Sequence, residues 1–309
     1  MSKSTLRGAF TGRILELAKQ DKDIFTLATD SRGSVTLGDF AKELPGQFVE
    51  CGIAEQDAVG IAAGLANAGL KPFVCGPACF FSMRSAEQVK VDVAYSHMNV
   101  KIIGVSGGVS YGALGSTHHS TQDIALMRAI PDLEVYLPSD AVQMKALTDY
   151  LASSAKPAFV RVGRGAVEDI YPEGTAFTPG KAVKLRSGKD AAIIACGETV
   201  CQATAAAELL SQKGISVSVY DMFTIKPMDV DAVLEAAKTG FVLTAEEHSV
   251  YGGLGGAVSE ILSQKAPTRM RILGLKDEKL YTGTSAEVFA HYGLDAQGIA
   301  RSLLEGLKA

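Results

Sequence analysis

One carboxylate stands where a helix begins. In the stretch Glu50-Cys51-Gly52-Ile53-Ala54-Glu55-Gln56-Asp57-Ala58-Val59-Gly60-Ile61-Ala62-Ala63-Gly64, Glu55 falls in the first turn of an apolar, small-residue helix. A glutamate there complements the helix macrodipole and is common on exposed helices that do nothing else. Its surroundings argue for more. Ala58, Ile61, Ala62 and Leu65 recur at helical spacing, and Gly60 and Gly64 sit one turn apart, where another backbone can approach closely. Such a helix is expected to pack tightly on something and to present Glu55 for proton chemistry.

Three further stretches carry groups that chemistry needs. Gly76-Pro77-Ala78-Cys79-Phe80-Phe81-Ser82-Met83-Arg84 follows a strand pattern and opens a helix, and its adjacent aromatics can stack on a flat heterocycle. Core packing of both rings is the simpler account when the motif stands alone. Ser106-Gly107-Gly108-Val109-Ser110-Tyr111-Gly112-Ala113-Leu114-Gly115-Ser116-Thr117-His118-His119 is a glycine-rich loop ending in two histidines, groups that exchange protons near neutral pH. Arg161-Val162-Gly163-Arg164-Gly165 offers guanidinium groups suited to an oxyanion, with a surface ion pair as the plain alternative.

The elements that must position these groups alternate. Apolar, often β-branched runs at Phe25 to Thr29, Pro72 to Cys75, Val100 to Ser106, Leu133 to Leu137 and Ala158 to Val162 read as buried strands separated by helical patterns, one of them Asp140 to Ser153. That rhythm predicts an α/β fold with a parallel sheet covered on both faces, whose strand ends are where ligands bind. Pro172, Gly174, Pro179, Gly180 and Gly188 then interrupt it. Strands resume near Ala191 to Cys196, Ile215 to Tyr220, Phe241 to Ala245 and Met270 to Leu273. The reading is two doubly wound domains, residues 1–170 and 189–309, joined by a linker at 171–188.

Composition narrows the classes. With 47% hydrophobic and 21% charged residues the 309-residue chain is a globular protein, and a net charge of -4 with pI near 5.8 speaks against nucleic-acid partners. The N-terminal Met1-Ser2-Lys3-Ser4-Thr5-Leu6-Arg7 lacks a signal-peptide h-region and no run is long enough for a membrane span, so a cytoplasmic location is the expectation. Five cysteines without CxxC spacing are expected to be reduced and structural, with no metal site. Glu246-Glu247-His248 cannot place all three side chains on one face, and Gly252 to Gly256 has neither the Walker lysine nor the Rossmann spacing, which leaves helix packing as its role.

The order of the motifs resembles one family. Gly52-Ile53-Ala54-Glu55-Gln56, Phe80-Phe81-Ser82-Met83-Arg84-Ser85-Ala86-Glu87-Gln88, Gly115-Ser116-Thr117-His118-His119, Ala129-Ile130-Pro131-Asp132-Leu133-Glu134-Val135-Tyr136-Leu137-Pro138-Ser139-Asp140-Ala141 and Arg161-Val162-Gly163-Arg164-Gly165, followed by Asp221-Met222-Phe223-Thr224-Ile225-Lys226-Pro227 and Glu246-Glu247-His248-Ser249-Val250-Tyr251-Gly252-Gly253-Leu254-Gly255-Gly256, are similar to the C-terminal half of transketolase, as in split, two-subunit transketolases. The resemblance covers nearly the whole chain. It implies a pyrimidine-binding domain of the thiamine-diphosphate type followed by a smaller transketolase C-terminal domain. It further implies that Glu55 hydrogen-bonds the aminopyrimidine ring of thiamine diphosphate and helps activate it. Phe80 or Phe81 matches the aromatic stacked on that ring, His118 the histidine facing substrate oxygens. Arg7, Ser34 and Arg164 match positions holding the sugar phosphate.

Departures bear on the substrate. Leu114 stands where many transketolases carry an aspartate, Ser106 replaces a histidine, Gln56 follows the catalytic glutamate, and Arg32 adds a cation near the implied anion site. The Gly-Asp-Gly motif and asparagine that hold Mg2+ and the diphosphate in the family are absent. An N-terminal partner subunit carrying the metal ligands is therefore implied, most simply as α2β2. The expected reaction is transfer of a two-carbon ketol unit from a ketose bearing phosphate or a similar anion to an aldose. The alternatives are the β subunit of the decarboxylase component of a 2-oxo acid dehydrogenase and a noncatalytic scaffold subunit.

Overall fold

A computed structural model describes residues 3–308. Contacts divide the chain into two compact units. One comprises residues up to Gly107 together with Leu126–Phe177; the other comprises Gly108–Ala125 together with residues from Thr178 onward.

In the first unit the strands are β1 (Lys3–Thr5), β2 (Ile24–Ala28), β3 (Phe48–Glu50), β4 (Lys71–Pro77), β5 (Lys101–Val105), β6 (Glu134–Tyr136), β7 (Ala158–Val162) and β8 (Ala166–Glu168). Parallel pairing runs in the order β6-β7-β5-β4-β2-β3, and β1 and β8 form a separate antiparallel ribbon. β5 and β7 are buried at every position, as strands covered by helices on both faces require. The helix Leu6–Gln20 begins where Thr5 accepts the amide of Gly8, and it buries Leu6, Phe10, Ile14 and Ala18, a stripe at four-residue spacing. It packs on the helix Ala141–Ser153, whose N-cap Asp140 accepts from Gln143 N and, through Oδ2, from the amides of Ile170 and Tyr171 at 2.8 Å each.

At the base of β5 the buried Lys101 ammonium donates to the carbonyls of Ser154 (3.0 Å) and Lys156 (2.7 Å) and to Asn99 Oδ1. Burial pulls its pKa down to about 7, with Glu134 opposing the shift and Lys71 adding to it.

The second unit contains β9 (Val183–Arg186), β10 (Ala191–Ala195), β11 (Val217–Asp221), β12 (Thr224–Lys226), β13 (Phe241–Ser249) and β14 (Arg269–Leu275). Its sheet has the order β14-β13-β10-β11-β9, parallel except for β9, which runs antiparallel to β11. Glu246 accepts the amides of Leu254 (2.6 Å) and Gly255 (2.8 Å), closing the uncapped start of the helix Leu254–Lys265. The glycines at this turn are there for room, since a Cβ at Gly253 or Gly255 would meet Glu246 or Ile272.

Both expected α/β domains are present. Two local features differ from the sequence reading. The stretch read as linker, 171–188, contains the edge strand β9, which its proline and glycine punctuation conceals. Gly108–Ala125, read as part of the first domain, makes its contacts with the second unit because Val109 is buried in that unit's core. No helix among the described residues is long and apolar enough to cross a membrane.

Candidate functional site

The approach to Glu55 is built from hydrogen bonds at the carboxyl ends of β2 and β3. Cys51 N donates to Ala28 O (2.9 Å), which extends the β2–β3 pairing by one residue. Glu50 Oε1 then accepts from Asp30 N (2.7 Å) and Gly52 N (3.2 Å), tying the ends of β2 and β3 together. Gly52 has φ +69, and Ala54 N returns to Gly52 O at 2.8 Å, so the chain turns sharply into the helix Glu55–Asn67. Glu55 is its first residue and is only 2% exposed. Ala54 supplies no side-chain cap, and Glu55 and Asp57 complement the bare helix start.

Arg84 Nη1 donates to Glu55 Oε2 at 2.6 Å, while the guanidinium carbon lies 4.6 Å from the Phe80 ring centroid. Glu55 Oε1 has no hydrogen-bond partner among the described residues. The two phenylalanines part company. Phe81 is fully buried against Gly76, where a Cβ would collide with its ring, whereas Phe80 keeps part of its ring in the open. The Gly60 and Gly64 face of the helix makes no close approach to the other described residues, since a Cβ at either position would meet none of them within 4 Å.

Arg32, Ser34, Ser106 and Arg164 follow the carboxyl ends of the parallel strands β2, β5 and β7, whereas Arg7 lies in the helix that follows β1 of the antiparallel ribbon. Arg7 Nη1 donates to Ser34 O at 2.7 Å, which ties these two segments together. Arg32 opens the short helix Arg32–Val35 after β2, is exposed, and forms no ion pair among the described residues. Ser106 follows β5 with φ +58, fully buried, its hydroxyl without a partner among the described residues. Next to it Gly107 lies against the buried Arg161 side chain, which leaves no room for a Cβ, and Arg164 follows β7 partly exposed.

The remainder of the glycine-rich loop belongs to the second unit. Gly108 and Ser120 exchange backbone hydrogen bonds of 3.0 and 2.8 Å, closing the loop at its neck. Inside it the turn Gly112–Thr117 is broken at Gly115 (φ 69, ψ -159), a conformation that only glycine adopts readily. His118 is partly exposed, edge-on to Tyr111 at 5.2 Å, and its Nδ1 lies 2.9 Å from Thr117 Oγ1. His119 turns inward: its Nε2 is 3.1 Å from Gly112 O, and burial lowers its pKa, so the ring is neutral and structural. The two histidines, adjacent in sequence, therefore sit in different surroundings.

Glu246, Glu247 and His248 also serve separately. Glu246 caps a helix, Glu247 Oε1 accepts the amide of Val109, and His248 Nε2 accepts that of Ala125. Sequence reasoning passed over Arg84 and Glu50. The spacing of Phe80 and Arg84, four residues apart on a helix, was a legible signal for their pairing, as was a carboxylate two residues before a turn glycine.

Comparison with known proteins is consistent along the whole chain. Residues 2–169 match the transketolase pyrimidine binding domain and residues 180–299 the transketolase C-terminal domain. An apulose-4-phosphate transketolase subunit of Phocaeicola vulgatus is 58% identical over 304 residues, covering 98% of this chain and 97% of that protein. The 6-deoxy-6-sulfo-D-fructose transketolase subunit SqwH of Clostridium sp. (strain MSTE9) is 38% identical, covering 97% and 94% respectively. A solved structure described as a split gene transketolase, inactive beta4 tetramer, superposes with TM-score 0.91 at 35% identity and covers 98% of each chain.

Proposed function

The chain belongs to the transketolase family, and from that membership we propose that it is the C-terminal subunit of a split transketolase. In this role it transfers a two-carbon ketol unit from an anionic ketose to an aldose, using thiamine diphosphate and Mg2+ together with an N-terminal subunit. The observation that carries the proposal is Glu55: a buried carboxylate at the carboxyl edge of a parallel sheet, with Oε1 still available, beside a half-open aromatic ring.

These residues fit the aminopyrimidine half of the cofactor. Glu55 offers a carboxylate oxygen to a ring nitrogen and can hold or pass a proton there. Phe80, rather than the buried Phe81, supplies the stacking face. When bound, the cofactor supplies the nucleophilic carbon and electron sink that ketol transfer needs. Arg7, Arg32, Ser34 and Arg164 hold the anion of the ketose, Ser106 offers a hydroxyl, and His118 faces substrate oxygens. The Gly-Asp-Gly motif is not in this sequence, so the ligands of Mg2+ and the diphosphate fall to the N-terminal subunit, in an α2β2 assembly. The 58% identical relative, named for apulose-4-phosphate, favours a phosphorylated ketose as donor. Five free cysteines suit the reducing cytoplasm.

The test is copurification with the N-terminal subunit, followed by titration with thiamine diphosphate and Mg2+ and an assay of ketol transfer from phosphorylated ketoses. Saturable cofactor binding by the complex and lipoamide-independent transfer are expected. A complex that binds no thiamine diphosphate would overturn the reading, and turnover requiring a lipoyl protein would replace it with the 2-oxo acid dehydrogenase alternative.

A further inference from the structure

The loop presenting His118 is anchored at several points by residues more than a hundred positions downstream. Val109 is fully buried among Leu275, Val288, Phe289, Tyr292 and Leu294. Its amide donates 2.7 Å to Glu247 Oε1, and Glu247 is itself only 6% exposed on β13. On the return side Ser249 N donates to Thr121 O at 2.9 Å and Ala125 N to His248 Nε2 at 3.3 Å. In the middle, a Cβ at Gly112 would lie 3.1 Å from Gly283 O and one at Gly115 3.2 Å from Thr282 Oγ1, both at positive φ.

Short irregular loops lack a ladder of their own and take the shape their anchors impose. Of these anchors Glu247 is the only charged side chain, and a carboxylate receiving a buried N–H makes a charge-assisted bond that water cannot replace. We infer that Glu247 is a positioning residue for substrate recognition: through Val109 it sets the loop that presents His118. As a statement about substrate this rests on the transketolase reading; as a statement about the loop it does not.

The experiment keeps the two apart. In the isolated chain, amide hydrogen exchange across residues 109–119 reads the loop directly. Glu247→Leu is expected to raise exchange there about tenfold or more, while Glu247→Gln, which keeps an acceptor, stays within about threefold of wild type. In the reconstituted complex, Glu247→Leu should raise the KM for the donor ketose about tenfold with little change in kcat, and leave thiamine diphosphate affinity unaltered. Unchanged exchange in Glu247→Leu, or a lowered melting temperature with wild-type KM, overturns the inference. If Glu247→Leu does not fold, Glu247→Asp, which draws the carboxylate back by one methylene from Val109 N, decides: raised exchange across 109–119 with a raised donor KM supports the inference, and wild-type values of either reject it. Loss of cofactor binding in the wild-type complex would count against the transketolase reading alone.

Discussion

Glu55 and His118 are held by opposite means. The turn into Glu55 is made at the ends of neighbouring parallel strands: Glu50 bridges Asp30 and Gly52, and β2 and β3 deliver the chain to the helix start. The loop into His118 is bonded within itself at its neck and through its own short turns, and its outside anchors, Glu247 and the Thr282–Gly283 segment, lie far along the chain. The difference teaches that a site residue supported by regular secondary structure is announced by pattern, whereas one on an irregular loop depends on contacts that pattern does not carry.

That comparison makes distinct predictions for each region. The largest effect belongs to Glu55→Gln, which should lower kcat of the reconstituted complex about 10²- to 10⁴-fold, because it removes a group that exchanges a proton. Steady-state kinetics that show turnover within tenfold of wild type would remove Glu55 from the chemistry.

A control lies at the opposite edge of the same sheet. Lys101→Met leaves the Ser154 and Lys156 carbonyls without their donor and should cost about 1–3 kcal/mol of stability by urea unfolding, with no change in KM. The sign of its pH dependence follows from burial. Folding lowers the lysine pKa from 10.5 to about 7, so between those values the unfolded chain binds more protons and wild-type stability rises with pH. The wild type should therefore gain on Lys101→Met as pH increases from 7 to 9, by up to about 1.4 kcal/mol per unit. A gap that narrows instead would show that the folded ammonium is not penalised.

His118→Ala should raise the donor KM about tenfold, the worth of one hydrogen bond to substrate, and leave cofactor affinity alone. A matching loss of cofactor affinity would break the separation between the two regions. The smallest effect is expected for Glu50→Ala. Because Glu50 is exposed, water can replace its oxygen at Asp30 N and Gly52 N, and thiamine diphosphate affinity should fall only about two- to fivefold by titration. A change of a hundredfold would mean that the turn at Gly52 has no other support.

Much of the frame was legible because its signals are local. Runs such as Val100 to Ser106 and Ala158 to Val162 announced β5 and β7, since a strand buried on both faces must be apolar along its length. The edge strand β9 was not legible, as a half-exposed segment among prolines and glycines carries no such run. The role of Glu246 as a helix cap, the inward turn of His119 and the split between Phe80 and Phe81 were hidden for a related reason: each depends on which neighbour fills the adjacent space.

By itself, then, the sequence determined the alternation of strands and helices, the placing of Glu55 at a helix start, and a family resemblance carried by ordered motifs. Those follow from periodicity, helix-end chemistry and glycine geometry, which act over a few residues. Only the tertiary structure decided that Arg84 spans Glu55 and Phe80, that Ser106 is buried without a hydrogen-bond partner among the described residues, and that Glu247 accepts the amide of Val109. The physical reason is that burial and hydrogen bonding are satisfied in space, as when Val109 meets Glu247 138 residues away, and no local spacing encodes such a pairing.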